Sequence, residues 1–377
     1  MVNAVICEFN PFHNGHKYLL NAAKEKTGAE YTVCFMSGNF VQRGEMAVCD
    51  KHSRAAAAVR HGADLVFEIP TAYVLASAAV FANAGVSLAS SLGVDTTLCF
   101  GCEADDISPL YRLAKTNKEQ LAHSFQKAVS GGKSYAAAVM QAYKECGAND
   151  ADLLNSPNNL LAFEYIKAVV EQNSNIDTLG IHRIGTSHDG QKPSGIFASA
   201  SYIRNHQNEN LSQYLPEDFN FAIDKKIFDT VLLYSIYSKT SDELLQYADI
   251  TEGLENRFFN AARTAKTADE LITLVKSKRY THAKLRRAAM NVLIGTPKDL
   301  HKQKPPYLRV LAFNSNGRAL LKQLSDTASV PIVTKPATIS GLKLFKLECR
   351  ATDIYDFCSK NRHGGGREYR MSPVYVK

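Results

Sequence analysis

The first half of the chain alternates between short apolar runs and longer stretches with apolar residues three or four positions apart. The first pattern is typical of buried strands and the second of amphipathic helices. Strands are predicted at residues 4–9, 31–36, 63–69, 96–100 and 177–184, and helices at 16–26, 50–61 and 74–92. Strands and helices that alternate in this way form βαβ units, which predicts a buried parallel sheet.

The rest of the chain has mainly helical spacing. Residues 108–173 and 218–294 are dominated by it, and a short helix is predicted at 198–206. A second short mixed unit follows, with strands at 307–313 and 330–333 around a helix at 318–324. We therefore predict an α/β protein. A Rossmann-like parallel-sheet domain covers residues 1–210, and a mainly helical C-terminal domain covers residues 211–377.

Composition excludes several classes of protein. The 377 residues are 45% hydrophobic and 21% charged, which is typical of a globular protein and excludes wholesale disorder. The N-terminus lacks the basic segment of a secretory leader. The uncharged stretch 69–94 is rich in alanine, serine and glycine, so a buried crossover helix is expected rather than a membrane span. Eight scattered cysteines suit free thiols in a reducing cytoplasm, where we expect the protein.

Positive charge is concentrated late in the chain. The formal net charge is +7, and between positions 276 and 309 the sequence holds ten lysines and arginines against one acidic residue, Asp299. Such a one-sided stretch predicts contacts to nucleic-acid phosphates. A second basic patch, with Arg367 and Arg370, is expected to be a disordered tail. The candidate phosphate-binding side chains are Lys276, Lys278, Arg279, Lys284, Arg286 and Arg287.

The residues His13-Asn14-Gly15-His16 lie where the first strand turns into the first helix. A helix N-terminus presents unpaired amides to an anion, and a glycine lets a phosphate approach the backbone. Two histidines add hydrogen-bond donors, and nucleotidyl transfer depends mainly on such donors around the phosphate. The segment therefore predicts attack on the α-phosphate of a nucleotide. Two surface histidines around a turn glycine are the alternative.

A second segment, Ser199-Ala200-Ser201-Tyr202-Ile203-Arg204, places hydroxyls and an arginine on one short helical turn. Ser201 and Arg204 form a plausible clamp for the β- and γ-phosphates, although a capping serine with a surface arginine is a common alternative. Arg43 follows the second strand and is a candidate to hold a carboxylate or phosphate. The sequence contains no H-E-x-x-H, G-x-S-x-G, Walker A or G-x-G-x-x-G motif.

These motifs carry a resemblance to a known family. Together with "MSGNFVQRGE", "FGCE", "SPNNLLAFEY" and "KRYTHAKLRR", the segment "EFNPFHNGH" is similar to the bacterial tRNA(Met) cytidine acetate ligase family of the HIGH-motif nucleotidyltransferase superfamily. The likeness runs from the N-terminus to at least residue 294. It implies that ATP adenylates acetate with release of pyrophosphate. The acetyl group then passes to the wobble cytidine of elongator tRNA(Met), giving N(4)-acetylcytidine.

The resemblance also implies roles for residues and domains. Residues 1–210 would activate acetate with ATP, and residues 211–377 would bind tRNA. His13, His16, Ser201 and Arg204 are the candidate catalytic residues. The candidate ATP-binding residues are Cys7, Glu8, Phe9, Asn10, Pro11, Phe12, His13, Asn14, Gly15, His16, Lys17, Tyr18, Leu19, Leu20, Gly101, Asn158, Asn159 and Arg183. Which asparagine contacts the nucleotide stays open.

Substrates and partners follow from the same resemblance. ATP and acetate are the expected substrates, Mg²⁺ is expected to accompany ATP, and no protein metal site is predicted. Elongator tRNA(Met) is the expected macromolecular partner, with no DNA and no membrane. Two alternatives remain: a small-molecule adenylyltransferase or carboxylate–amine ligase of the same superfamily, and a non-catalytic RNA-binding protein. The basic stretch argues against the first, and the paired phosphate motifs argue against the second.

Overall fold

The computed structural model describes residues 1–116, 118–133, 135–184, 193–251 and 253–377, and an eight-stranded sheet lies at its centre. The strands are β1 Val2–Cys7, β2 Tyr31–Ser37, β3 Phe40–Val41, β4 Glu45–Met46, β5 Leu65–Ile69, β6 Thr96–Cys102, β7 Asp177–His182, β8 Leu308–Phe313, β9 Ile332–Val333 and β10 Val374–Tyr375. The order across the sheet is β10-β8-β5-β2-β1-β6-β7, with β9 paired to β8, while β3 and β4 form a separate hairpin.

Helices connect and cover these strands. They are α1 Asn14–Thr27, α2 Lys51–Arg60, α3 Thr71–Val74, α4 Ala78–Ser90, α5 Ser108–Ala114, α6 Lys118–Ser130, α7 Tyr135–Glu145, α8 Pro157–Glu171, α9 Ala200–Asn205, α10 Lys225–Tyr237, α11 Ser241–Leu244, α12 Leu254–Ala261, α13 Ala268–Val275, α14 His282–Ile294, α15 Ser315–Thr327, α16 Lys343–Phe357 and α17 Arg367–Arg370. Short 3-10 helices lie at Asn149–Asn155, Leu300–Lys302 and Pro336–Ile339.

Both faces of the sheet are covered, as the apolar strands predict. Along β1, Val5 belongs to a hydrophobic cluster with α1 and α2, whereas Ala4 and Ile6 belong to a cluster with α4 and α8. Helix α4 lies so close to the sheet that a Cβ on Gly85 would stand 2.5 Å from Ile6 Cδ1. The predicted α/β fold with a mainly parallel sheet is confirmed.

The prediction of one continuous helix at 74–92 is wrong in its extent. Val74 ends α3 and the following helix is α4, because the Ser77 hydroxyl accepts a hydrogen bond from Val80 N and starts a new helix. The second helix is 13 residues long. In the described part of the chain, no helix is both long enough and apolar enough to cross a membrane.

The late mixed unit is not separate from the first sheet, contrary to the sequence prediction. Strand β8 pairs antiparallel with β5, and β9 and β10 pair with β8. Without β8, the backbone groups of the buried strand β5 on the side away from β2 would lack hydrogen-bond partners. The boundary at residue 210 stays a prediction, since the C-terminal part supplies strands to the sheet as well as the helices α10 to α14.

Buried ion pairs connect residues near positions 50–68 with the C-terminal segment of the chain. Lys51 Nζ lies 2.7 Å from Glu68 Oε1 and 2.8 Å from Glu368 Oε2, and all three side chains are almost fully buried. Arg367 pairs with Asp50 and lies 3.0 Å from Asp356 Oδ2. The basic C-terminal segment is therefore held in place, and its interpretation as a disordered tail is wrong.

One member of this buried region should make stability depend on pH. Burial and the neighbouring Glu68 raise the pKa of Glu348 to about 8, whereas the unfolded chain releases this proton near the ordinary value of about 4.3. Stability from this group is therefore present below the unfolded pKa and falls as pH rises towards the folded pKa, by at most about 1.4 kcal/mol per pH unit. Denaturant titrations between about pH 5 and pH 8 should show a shallower decline for Glu348→Gln than for the wild type. Parallel curves would exclude Glu348 as the source.

Candidate active site

A cavity of about 430 Å³ opens where the parallel strands β1, β6 and β7 reach their carboxyl ends. This is the edge at which open α/β sheets bind ligands. Of the predicted site residues, its lining includes Cys7, Glu8, Phe9, Asn10, His13, Gly15, His16, Tyr18, Leu19, Gly101, Asn158, Arg183, Ser201 and Arg204. Residues separated by almost 200 positions in the sequence thus meet in one pocket.

The two motif histidines begin helix α1 and cap it. His13 Nδ1 accepts a hydrogen bond from Gly15 N at 3.1 Å, and His13 N donates to His16 Nδ1 at 3.3 Å. The two rings stack with centroids 3.7 Å apart. Because both Nδ1 atoms are acceptors, the proton of each neutral imidazole is on Nε2. Each ring therefore offers one Nε2–H donor.

Both rings are neutral in the free protein. Burial, with the positive charges of Arg183 and Arg204, lowers the pKa of His13 to about 3. Burial and the neighbouring His13 hold the pKa of His16 well below its ordinary value. Any charge stabilisation by these two rings would therefore come from neutral hydrogen-bond donors. An anionic phosphate in the cavity would raise both pKa values.

Gly15 has a more local role than the sequence suggested. A Cβ at this position would stand 2.9 Å from His13 Cε1. The glycine thus makes room for the capping ring of His13, in addition to lining the cavity.

Aromatic side chains pack against the ring of His16 and hold it in position. The rings of Phe9 and Phe12 lie 4.8 Å and 5.7 Å from the His16 ring, and Phe12 stacks on His61 at 5.9 Å. Phe12 is fully buried and does not line the cavity. Phe12 instead supports the His16 ring, and its predicted contact with ATP stays a prediction.

Two guanidinium groups add positive charge to the cavity. Arg204 Nη1 donates to the Asn10 carbonyl at 2.8 Å, and its Nη2 donates to Ser201 Oγ at 3.1 Å. Arg183 Nη1 lies 3.3 Å from Asn158 Oδ1. Two guanidinium groups and two imidazole donors in one cavity form a site for a polyanion such as a triphosphate.

The two adjacent asparagines have different positions. Asn158 lines the cavity, where its Nδ2 donates to Glu103 Oε1 at 2.7 Å. Asn159 lies behind it, and its Oδ1 accepts from Glu103 N at 2.9 Å and Ala104 N at 3.2 Å. Asn158 is therefore the better candidate for the ligand, and Asn159 holds the loop that follows β6.

Other predicted ATP contacts do not line the cavity. Asn14 Nδ2 donates to the carbonyls of Ile196 and Gln213 at 3.0 Å and 2.9 Å, so it joins distant loops. Lys17 is exposed and Leu20 is part of the core. The cavity lining also does not include Pro11.

Sequence reasoning missed the apolar wall and most of the hairpin. Phe81, Phe100 and Tyr165 come from α4, β6 and α8, which the sequence gives no reason to bring together. The β3–β4 hairpin contributes Arg43, which was expected there, and Glu45, which was not. Both wall and hairpin depend on packing between distant elements, so no local pattern reveals them.

One partly buried carboxylate faces this positive environment. Removal from water raises the pKa of Glu8 above its ordinary value, although Gln42 N donates to its Oε1 at 2.7 Å.

Among the described residues, no group of three or more His, Cys, Asp or Glu side chains is placed to hold a metal ion.

The predicted tRNA-phosphate-binding residues differ in how far their side chains are exposed to solvent. Lys278 and Arg279 are exposed, and Lys284 Nζ lies 4.7 Å from the centre of the Tyr280 ring. Lys276 is partly exposed. Arg287, in contrast, is 8% exposed and lies 3.3 Å from Asp249 Oδ2.

Arg286 also has protein partners. Its Nη1 lies 2.5 Å from Glu45 Oε1, and its Nη2 lies 3.6 Å from Asp269 Oδ1. The guanidinium of Arg287 is therefore engaged within the protein and its tRNA contact stays a prediction, whereas Arg286 lies beside the β3–β4 hairpin.

Known proteins resemble the chain over its whole length. The model of the family described as HIGH Nucleotidyl Transferase matches residues 1–368. A tRNA(Met) cytidine acetate ligase of Acetivibrio thermocellus is 35% identical over 100% of both chains, and one of Thermoanaerobacter sp. (strain X514) is 34% identical over 97% of each.

Solved structures give the same result. Thermotoga maritima TmcAL bound with alpha-thio ATP superposes with a TM-score of 0.89 at 30% identity, covering 100% of this chain and 99% of that one. The apo form of the same protein gives a TM-score of 0.92 with the same coverage.

Proposed function

Since the chain belongs to the HIGH nucleotidyl transferase family, together with the tRNA(Met) cytidine acetate ligases, we propose that it is an ATP-dependent ligase acting on acetate and tRNA. It would activate acetate as acetyl-adenylate and acetylate the wobble cytidine of elongator tRNA(Met). The observation that carries this proposal is the cavity in which two neutral imidazole donors and two guanidinium groups meet at the carboxyl edge of the sheet.

In the first step, an acetate oxygen attacks the α-phosphorus of ATP and pyrophosphate leaves. Negative charge develops on the phosphate oxygens, where the Nε2–H groups of His13 and His16 can donate. Arg204 and Ser201 suit the leaving pyrophosphate, because a guanidinium fork binds two phosphate oxygens at once. These preorganised donors need no reorganisation during the reaction.

In the second step, the exocyclic amine of cytidine attacks the acetyl carbon. A carbon–nitrogen bond forms, the bond from that carbon to the AMP oxygen breaks, and the amine gives up a proton. The apolar wall of Phe81, Phe100 and Tyr165 supports this step, since exclusion of water protects the acetyl-adenylate from hydrolysis.

Mg²⁺ is part of the proposal through the nucleotide. When bound, it would neutralise phosphate charge. Mg²⁺ commonly uses one or two carboxylates, water and substrate phosphates. Glu8 is a partly buried carboxylate that the cavity offers for this purpose.

Acetate-dependent exchange of labelled pyrophosphate into ATP tests the activation step. We expect exchange with acetate and none without a carboxylate. Exchange that requires a carboxylate other than acetate would favour the small-molecule carboxylate–amine ligase, and absence of exchange with every carboxylate tried would refute the proposed activation step.

Two lysines of the basic stretch, the exposed Lys278 and the partly exposed Lys284, test the tRNA contact. Lys278→Glu with Lys284→Glu should raise the Kd for tRNA at least about tenfold and make its dependence on salt shallower, by about 0.7–0.9 in the log–log slope for each phosphate that is no longer neutralised. Exchange should fall much less than tRNA binding. Lys322→Glu with Lys346→Glu is a matched reversal of two exposed lysines elsewhere and should bind tRNA almost normally. Equal weakening by both pairs would mean that only overall charge matters.

A further inference from the structure

A second cavity, of about 370 Å³, lies next to the first. Its walls are mainly apolar and include Met46, Phe228, Leu232, Ile272 and Met290. These residues come from the β3–β4 hairpin and from helices α10, α13 and α14. The cavity thus connects the first part of the chain with the C-terminal helices.

Two elements are shared between the cavities. Glu45 of the hairpin lines both, with Arg43 on the side of the first and Met46 on the side of the second. Helix α9 carries Arg204 into the first cavity, and Gln207, just beyond that helix, lines the second. Gln207 Nε2 donates to the Arg204 carbonyl at 2.9 Å. A group in the second cavity therefore lies beside the site that would hold the activated acetate.

Polar groups on the second cavity are arranged around one arginine. Arg286 Nη1 lies 2.5 Å from Glu45 Oε1, and its Nη2 lies 3.6 Å from Asp269 Oδ1. Lys225 Nζ lies 3.1 Å from Asp269 Oδ2. The cavity therefore offers carboxylate acceptors next to guanidinium donors, with an aromatic ring among the apolar walls.

This combination matches the hydrogen-bonding edge of cytosine. Cytosine has an amine donor at N4 beside acceptors at N3 and O2, which suit a carboxylate beside a guanidinium. Uracil has an oxygen at position 4, which a carboxylate repels. A flipped base also stacks on aromatic side chains, and the Phe228 ring is partly exposed in the cavity.

The backbone of an RNA has a path to this cavity. Helix α14 carries Lys284 near its first turn and Arg286, Ala289 and Met290 in the cavity lining. The exposed Lys278 lies just before this helix. A phosphate backbone held by these lysines would pass the N-terminal end of the helix that lines the cavity.

We propose that the second cavity binds the flipped wobble cytosine of the tRNA, with the exocyclic amine directed at Glu45 and the ring beside Phe228. This inference rests on the proposed function and names the acceptor site that it requires. Glu45, on the wall between the cavities, orients the amine towards the acetyl group.

The test uses the full chain with elongator tRNA(Met) and with a labelled anticodon stem-loop that carries C or U at the wobble position. The wild type should bind the C form at least about fivefold more tightly than the U form. Phe228→Ala should raise the KM for tRNA in acetyl transfer by about fivefold or more. The matched control is Phe259→Ala, because Phe259 is also a partly exposed ring packed on the core but lines neither cavity.

A second variant keeps the test independent of folding. Asp269 is exposed and lies 3.6 Å from Arg286 Nη2, so Asp269→Ala should leave the fold intact and, by releasing the guanidinium that would donate to N3 and O2, reduce the preference for C over U. If the wild type shows no acetate-dependent exchange, the proposed function fails. If exchange and tRNA acetylation occur but Phe228→Ala and Asp269→Ala behave like Phe259→Ala, the inference about the second cavity is overturned.

Discussion

His16→Ala should lower acetate-dependent pyrophosphate exchange by about 10²–10³-fold, the usual effect of removing one preorganised donor to a developing oxyanion. The His16 ring is neutral, has its Nδ1 engaged by His13 N, and is fixed by Phe9 and Phe12. Its Nε2–H is thus available to the α-phosphate without reorganisation. Initial rates at saturating ATP and acetate measure the effect on the chemical step.

Two further variants show whether this loss comes from the donor. His16→Asn retains a side-chain N–H and should lose less activity than His16→Ala. His61→Ala removes another ring that stacks on Phe12 but lies outside the cavity lining, so its exchange rate should stay within a few-fold of the wild type. If His61→Ala and His16→Ala lose activity equally, aromatic packing rather than hydrogen-bond donation is responsible.

Arg204→Ala should lower exchange to a similar extent, about 10²–10³-fold. Its guanidinium donates to the Asn10 carbonyl and to Ser201 Oγ, which places one fixed fork next to the histidine motif. Removing it takes away positive charge from the region that would receive the leaving pyrophosphate. We also expect a higher KM for ATP, because ground-state phosphates use the same group.

The arginine variants separate charge from geometry. Arg204→Lys keeps the charge but loses the bidentate fork, so its activity should lie between those of the wild type and Arg204→Ala. Arg60→Ala is the control, since Arg60 is an exposed arginine that pairs with Glu217 and does not line the cavity. Full activity in Arg204→Ala would remove this arginine from the phosphate clamp.

The sequence predicted those parts of the site that lie next to strand ends. The histidine motif follows β1, and Arg183 follows β7, so the rule for parallel sheets brings them together. The apolar wall of Phe81, Phe100 and Tyr165 depends on how α4 and α8 pack on the sheet, which spacing along one element does not determine. The two asparagines are adjacent on α8, and only tertiary contacts distinguish Asn158 from Asn159.

Other differences have equally physical reasons. Strand β8 joins β5 after more than two hundred intervening residues, and no local pattern specifies such a long-range pairing. Adjacent helical residues point about 100° apart, so a count of positive charges could not separate the partly exposed Arg286 from the buried Arg287. The sequence revealed the charge density of this stretch but not which face of α14 carries it.

Mass spectrometry of elongator tRNA(Met) after incubation with the protein, ATP and acetate is the most direct test of the proposed function. The predicted result is one added acetyl group on the wobble cytidine, dependent on both ATP and acetate and formed far more slowly by His16→Ala. An unmodified wobble cytidine, in a preparation that carries out acetate-dependent exchange, would contradict the proposed acceptor.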